Sequence, residues 1–341
     1  MLNKRWKYLA VVVSLVVVSV CNAQQLPIFT QYKLNGQVLN PAIAGAYGFT
    51  TLNLTSREQW AGFKGAPSTY TLSTEWRLLK RKNSVSSSLF GLRKLQKSRQ
   101  GRVGFGGVLY SDNNGQVRNT GAKFAYSYHI DLPTTQLSLG VALNAFQIRF
   151  DKENLTFPED GVTEEPLLSG DFKESMFAPD ASIGAFILGR RYYFGISANQ
   201  LFQSTIKIGG SLNHYRLTRH YFINSGYKFY IGQDYDIEPS FLIKTTEADV
   251  KGFLNKLKGM QHQEDLSVRV YYRDDYWGGV AYRTNGDLLI LTGMRYQQFY
   301  FEYSFDYALT SIRNYSYGSH ELSLGIRFGA ADGRFRWKDR F

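Results

Sequence analysis

Alternation of apolar and polar side chains along the chain constrains its fold more than any other feature. From Phe299 to Tyr307 every second residue is aromatic, and most of the residues between them are polar. Residues 70–78 and 321–328 alternate in the same way. Successive side chains of a strand point to opposite faces, whereas an amphipathic helix would need apolar residues three and four positions apart. The pattern therefore predicts β-strands that each carry one apolar face.

Segments of this kind recur often enough to predict about 14 strands. They lie near residues 48–57, 68–78, 102–111, 119–130, 135–150, 180–189, 191–200, 219–231, 235–246, 265–273, 276–284, 287–296, 299–308 and 319–328. An even number of antiparallel strands with apolar outward faces is typical of bacterial outer-membrane barrels, and an aromatic content of 16% suits their interfacial girdles. The expected fold is all-β, a single-domain transmembrane antiparallel β-barrel.

The connections between these strands differ in length in a way that fits a barrel in the outer membrane. Long ones, such as 151–179 and 309–318, alternate with short turns such as 131–134 and 274–275. If the chain starts in the periplasm, the long connections face outside, as such barrels require. Residues 79–101 break the pattern, because this connection on the periplasmic side is long.

Two of the connections carry a strong charge bias. Residues 79–101 include seven basic and no acidic side chains, whereas residues 151–179 are predominantly acidic. One hypothesis is a basic periplasmic docking segment and an acidic surface loop. Solvation alone also accounts for charged connections, so both interpretations stay open.

The N-terminus has the features of a secretory signal peptide. Lys4, Arg5 and Lys7 precede an apolar run at residues 9–20, and Cys21-Asn22-Ala23 follows. We expect cleavage after Ala23. The alternatives are a membrane anchor, for which the run is short, and lipidation of Cys21, which lacks the usual small residue directly before it. Cleavage would remove the single cysteine and exclude disulfides and thiolate metal sites.

These observations divide the chain into four parts. Residues 1–23 are the signal peptide, 24–47 an N-terminal segment, 48–328 the barrel and 329–341 a periplasmic C-terminal tail. The segment 24–47 alternates aromatic and polar residues and is long for a simple lead-in. Our hypothesis is that it enters or covers the periplasmic mouth, and a flexible tail is the alternative.

The sequence contains no recognisable catalytic, cofactor or metal motif. Its five histidines lack the spacing of a zinc site. Gly104, Gly106 and Gly107 alternate within a strand without a following helix, so close packing or bending of the strand is favoured over a phosphate loop. His320, directly before Glu321, is the best single catalytic candidate, and a structural hydrogen bond at the outer rim is the alternative. We expect a protein that is not an enzyme.

Several ordered motifs carry a family resemblance over residues 24–341. They are Phe29-Thr30-Gln31-Tyr32, Leu39-Asn40-Pro41-Ala42-Ile43-Ala44-Gly45, Arg57-Glu58-Gln59-Trp60-Ala61-Gly62-Phe63, Gly65-Ala66-Pro67, residues 238–244, Leu309 to Tyr315 and Gly318-Ser319-His320-Glu321. This series resembles the PorP/SprF family of type IX secretion system outer-membrane proteins. Ile43 stands where that family usually has tyrosine, a conservative departure at an apolar position.

The resemblance implies an outer-membrane component of the type IX secretion and gliding machinery. Such a protein assists export or surface attachment of cargo adhesins and contacts periplasmic ring components, beside the lipid of the outer membrane. The partner-binding residues that we expect on the motifs and the basic segment are Asn40, Pro41, Gly45, Arg57, Gln59, Trp60, Lys80, Arg81 and Lys82. Export beyond the cytoplasm and the lack of a nucleic-acid motif argue against nucleic acid as a partner of this basic chain.

A diffusion channel or a hydrophobic-ligand transporter is the alternative function. The lumen of a barrel widens with its number of strands, and about 14 strands leave an appreciable space. The alternation points a set of charged side chains inward, namely Glu75, Arg77, Glu302, Asp306, Glu321 and Arg327. These side chains could line water, or they could pair with one another and fill the space.

Overall fold

The computed structural model describes residues 29–79, 100–150, 175–207, 214–246 and 261–328. These residues form antiparallel strands almost throughout. The strands are β1 (Thr50–Glu58), β2 (Ser68–Leu79), β3 (Gln100–Asn114), β4 (Val117–Asp131), β5 (Gln136–Phe150), β6 (Ser175–Leu188), β7 (Tyr192–Asn199), β8 (Thr205–Lys207), β9 (His214–Arg216), β10 (His220–Tyr227), β11 (Phe229–Ile231), β12 (Tyr235–Thr246), β13 (Gln261–Tyr272), β14 (Tyr276–Arg283), β15 (Asp287–Tyr296), β16 (Phe299–Ala308) and β17 (Ser319–Phe328).

The strands close into a barrel because the first and last pair with each other. β1 and β17 run antiparallel from the pair Thr50 and Phe328 to the pair Glu58 and His320. β10 and β11, separated only by Lys228, both pair with β12 and count as one barrel strand, while β8 and β9 form a separate two-stranded sheet. The predicted 14-stranded antiparallel barrel is thereby confirmed.

The predicted alternation is confirmed by the burial of side chains on the two faces. On β16, Phe299 and Phe301 are exposed on the outside, whereas Glu302 and Asp306 are buried in the lumen. The outer face of the barrel is rich in exposed leucine, isoleucine, phenylalanine and tyrosine. The lumen instead contains most of the buried polar and charged side chains, so the barrel is apolar outside and polar inside.

The helical elements of the described residues are short. They are α1 (Gly36–Leu39) and two 3₁₀ helices, Pro41–Ile43 and Ser311–Asn314. None of the helices in the described ranges is long and apolar enough to cross a membrane.

The two ends of the barrel differ in their connections. We call the end at which β1 begins and β17 ends the turn end, and the opposite end the loop end. Short turns at 132–135, 189–191 and 273–275 lie at the turn end, and longer connections such as 309–318 lie at the loop end. Residues 80–99 and 151–174, on which the predicted basic and acidic segments fall, lie outside the described residues.

Candidate functional site

Residues 29–46, here called the N-terminal plug, lie inside the barrel. Gln31 and Ala42 are completely buried, and Asn40 is 1% exposed. Ala46 contacts Gln136, which begins β5 at the turn end, whereas Thr30 contacts the lumen side of β17 near the loop end. The plug therefore runs along the lumen and occupies it over much of the length of the strands.

The turn at Asn40 and Pro41 fixes the path of the plug inside the lumen. Proline keeps the residue before it out of helical geometry, and Asn40 is extended with φ −134° and ψ 112°. Its side-chain oxygen accepts a 2.9 Å hydrogen bond from the backbone N–H of Ala42, and Pro41 occupies the favoured first position of the following 3₁₀ helix. The amide nitrogen of Asn40 donates to the carbonyls of Ala185 and Ile196 on the barrel wall.

Gly45 lies against the wall shortly before β1 begins. Its φ of +67° is a left-handed conformation that favours glycine. A methyl group there would lie 2.8 Å from the carbonyl oxygen of Trp76. The backbone N–H of Gly45 donates to the carboxylate of Glu75 at 3.1 Å, so a charged side chain of the wall holds this turn.

A buried network joins the start of the plug to three strands of the wall. Arg57 on β1 donates to Thr30 Oγ1 at 2.6 Å, to Glu321 Oε2 on β17 at 3.1 Å and to Asp306 Oδ2 on β16 at 2.6 Å. Glu321 also accepts the backbone N–H groups of Thr30 at 2.7 Å and Gln31 at 2.9 Å. We call these five residues the latch.

The latch brings together motifs that lie far apart in the sequence. Thr30, Arg57 and Glu321 each belong to a different one of the quoted motifs. Arg57 and Glu321 are register partners across the seam that closes the barrel. Buried charges of this kind are stable only when they are paired and hydrogen-bonded, so the plug and the closing seam depend on each other.

The backbone carbonyls of the plug are satisfied by polar side chains of the wall. The pairs are Leu34 with Asn53, Val38 with Lys123, Leu39 with Ser197 and Asn199, Ala44 with Ser127, and Ala46 with Gln136. Buried backbone groups need such partners because an unpaired one costs the free energy of a lost hydrogen bond. These six inward side chains therefore bind the plug instead of lining open water.

Glycines on the inner face of the wall make room for the plug. A methyl group at Gly140 would lie 2.3 Å from the backbone nitrogen of Ala42, and one at Gly104 would lie 2.3 Å from the carbonyl oxygen of Ala44. At Gly106 it would lie 1.9 Å from the side chain of Gln37. The expectation that the glycines at 104 and 106 serve close packing is thereby confirmed.

Lys33 carries a charge into the part of the lumen nearer the turn end. Its ammonium group forms an ion pair with the buried Glu238 and donates to the hydroxyl of Tyr271 at 3.4 Å. The plug therefore adds a basic side chain to a wall that already carries several buried ones, among them Arg269 and Lys228.

Two connections are joined to each other at the loop end. The backbone N–H of Ala61 donates to the carbonyl of Gly318 at 2.7 Å, and that of Tyr317 donates to Ala61 at 2.8 Å. Trp60, with a φ of +49°, donates its N–H to Ser319. These contacts place Gln59 and Trp60, both half-buried, at the rim of the barrel.

The structure separates the predicted partner-binding residues into three groups. Asn40, Pro41, Gly45 and Arg57 are buried between plug and wall. Gln59 and Trp60 lie at the rim, and Lys80, Arg81 and Lys82 lie outside the described residues. A partner-binding role for all of these residues stays a prediction, and for the first group it requires the plug to leave the lumen.

Sequence reasoning missed most of the wall residues that hold the plug. It placed Glu75, Asp306 and Glu321 on the inner face but did not assign them to Thr30, Gln31 or Gly45. Lys123, Ser127 and Asn199 were not singled out at all. The signal that could have found them is the inward position of polar side chains next to inward glycines on neighbouring strands.

His320 makes a hydrogen bond of the kind that a structural role requires. Its Nδ1 is 2.7 Å from the hydroxyl of Tyr303, and its ring lies against Phe305. Within the part of the chain that the structure describes, no group of three histidine, cysteine, aspartate or glutamate side chains is placed to hold a metal ion.

Comparison with protein families gives one match. The model of a family described as type IX secretion system membrane protein PorP/SprF matches residues 21–326. No curated protein matches the chain significantly.

Comparison with solved structures finds other barrels at low identity. The toluene transporter TodX of P. putida is 9% identical with a TM-score of 0.45, over 87% of this chain and 95% of that one. The toluene transporter TbuX of Ralstonia pickettii is 10% identical with a TM-score of 0.44, over 86% and 93%. The NanC porin is 9% identical with a TM-score of 0.35, over 82% and 100%. At these values the similarities assign neither a ligand nor a transport activity to this chain.

Proposed function

The chain belongs to the PorP/SprF family of type IX secretion system membrane proteins, and from this premise we propose that it serves the secretion and gliding machinery as a non-enzymatic component. It is a multi-pass protein of the outer membrane. In the proposed role it assists the export or surface attachment of cargo adhesins and contacts periplasmic subunits of the machine.

The single observation that carries this proposal, beside the family, is the occupied lumen. The plug contacts the wall through the latch at one level and through Asn40, Gly45 and Ala46 at levels nearer the turn end. A pathway for a diffusing solute would need these buried hydrogen bonds to break. A barrel that works by contact with other proteins needs no such opening, so the plug favours interaction over the diffusion channel.

The surfaces proposed for these contacts lie at opposite ends of the barrel. Lys80, Arg81 and Lys82 directly follow Leu79, the last residue of β2, at the turn end. With both chain ends in the periplasm, as is usual for bacterial barrels, the turn end is periplasmic. We assign the basic segment to an acidic surface of a periplasmic subunit and the rim at Gln59 and Trp60 to exported cargo.

A pull-down in mild detergent tests the proposal. Wild-type barrel is expected to recover periplasmic subunits and an exported adhesin, identified by mass spectrometry. The triple variant K80E/R81E/K82E should recover less of the periplasmic partner, with the largest loss at low salt, because exposed charges are screened as ionic strength rises.

A second variant controls for a general effect of charge at the same end. Arg190 and Arg191 are exposed in the turn between β6 and β7, and R190E/R191E should leave recovery unchanged. Equal recovery from all three proteins at low salt would contradict the assigned contact. Recovery of neither a machine subunit nor an adhesin by the wild type would contradict the proposed function itself.

A further inference from the structure

Two arginines lie directly opposite each other on neighbouring strands at the loop end. Arg118 on β4 and Arg149 on β5 are register partners. Their neighbours Ile148 and Asn119 face the lumen, so both arginines lie on the outer face, and both are exposed. Like charges at directly opposed positions destabilise a sheet, so a counter-charge is expected at this site.

No acidic side chain among the described residues supplies that counter-charge. The Nε of Arg118 donates to the side-chain oxygen of Asn113 at 2.7 Å. The side chain of Arg149 has neither a hydrogen bond nor an ion pair with the described part of the chain, and its backbone pairs only within the sheet. Asp112 is close in sequence, but its carboxylate accepts a hydrogen bond from Thr69 on the lumen side. Most of the guanidinium donors therefore face out of the barrel.

A groove of about 450 Å³ opens beside the two arginines. It is lined by both guanidinium-bearing residues, by Asn113 and by the backbone at Gly65 and Gly115. Gly115 has a φ of +58°, and a methyl group there would meet no atom within 4 Å, so the floor of the groove is open. The groove leaves space for a group larger than a single ion beside the paired charges.

The height of the site along the barrel indicates what fills it. On the neighbouring strand β6 the exposed apolar outer face reaches Phe177, the register partner of Gln147, and Arg149 lies two residues further toward the loop end. At about 3.3 Å per residue, this is roughly 7 Å along the tilted strand. The arginines thus lie beyond the apolar band, at the level of lipid headgroups, and on the face that meets lipid.

We propose that Arg118 and Arg149 bind the phosphate of a lipid headgroup in the leaflet at the loop end. The planar fork of arginine matches two phosphate oxygens, and two forks at opposed positions relieve their mutual repulsion on one anion. A phospholipid or a phosphorylated glycolipid would supply this group while its acyl chains lie along the apolar face below.

Lipid retention tests this site. Purified barrel in neutral detergent is mixed with phosphorylated lipid A or with a neutral glycolipid of equal acyl length, and bound lipid is measured by native mass spectrometry. Wild type should retain the phosphorylated lipid preferentially. Each of Arg118→Gln and Arg149→Gln should lower its affinity by about tenfold, as expected for loss of a hydrogen bond to a charged group.

The matched control is Arg102→Gln. Arg102 is an exposed arginine on β3 at the turn end of the barrel, far from the proposed site. This variant should retain the lipid like wild type, and heat-modified mobility on gels shows whether each variant is folded. Equal retention by all variants would overturn the proposal. That result is expected if acidic residues elsewhere in the chain neutralise Arg118 and Arg149. Complete displacement by millimolar inorganic phosphate or by an acidic peptide would also overturn it, because a soluble anion would then be the occupant.

Discussion

Arg57 and Asp306 lie 249 residues apart in the sequence, yet their side chains meet at 2.6 Å inside the barrel. Arg57 is 2% and Asp306 3% exposed, so the pair is almost completely removed from water. Thr30 of the plug donates its hydroxyl to the same carboxylate. Thr30 at the start of the plug is thereby bound to β1 and β16, beside the seam at which β1 and β17 close the barrel.

Replacing Arg57 by glutamine should destabilise the protein and loosen the plug. The carboxylates of Asp306 and Glu321 would lose their shared cation, and breaking a buried ion pair on one side costs about 3–5 kcal/mol. We expect a lower Tm and faster proteolysis before residue 45 in the purified barrel. Arg102→Gln, which removes an exposed arginine, should change neither property, and equal behaviour of the two variants would contradict the latch.

Replacing Gly140 by valine should displace the plug without removing any polar contact. The first carbon of the new side chain would lie 2.3 Å from the backbone of Ala42, and backbone cannot rotate away as a side chain can. The expected result is a barrel that remains folded but in which residues 29–46 become accessible to protease. Gly107→Ala is the matched control, since a methyl group there meets only Thr74 at 3.4 Å. A protected plug in Gly140→Val would count against the observed path.

Two substitutions at Asn40 should separate its two roles. Asn40→Ala removes the cap of the 3₁₀ helix and leaves the carbonyls of Ala185 and Ile196 without their donor, so it should cost roughly 2–4 kcal/mol. Asn40→Asp keeps the capping oxygen but places a carboxylate against the two carbonyls, so it should be at least as harmful. Thermal unfolding of both variants measures this order, and a stable aspartate variant would contradict the contacts with the wall.

The strands of this fold could be predicted from the sequence because their signal is local. Alternation from Phe299 to Tyr307 requires nothing but the geometry of one strand, and the predicted bounds of β16 agree with the observed ones. Bounds were wrong where local signals are weak. The strand predicted near 180–189 begins at Ser175, and the one predicted at 219–231 is interrupted at Lys228, whose backbone N–H turns to the carbonyl of Arg191.

The interior could not be predicted in the same way because it depends on long-range contacts. Nothing near Lys123 in the sequence indicates that its ammonium group reaches the carbonyl of Val38. The inward position of Gly140 has a meaning only once the path of the plug is known. The motifs at Thr30, Arg57 and Glu321 were visible as a resemblance, but their convergence on one buried network required the closed barrel.

Conductance across a planar lipid bilayer tests the central claim most directly. A barrel whose lumen is occupied by residues 29–46 should give no steady conductance as wild type, whereas Gly140→Val should open measurable current as its plug is displaced. A large and stable conductance from the wild-type protein would contradict the account, because ions would then pass where the plug is bound.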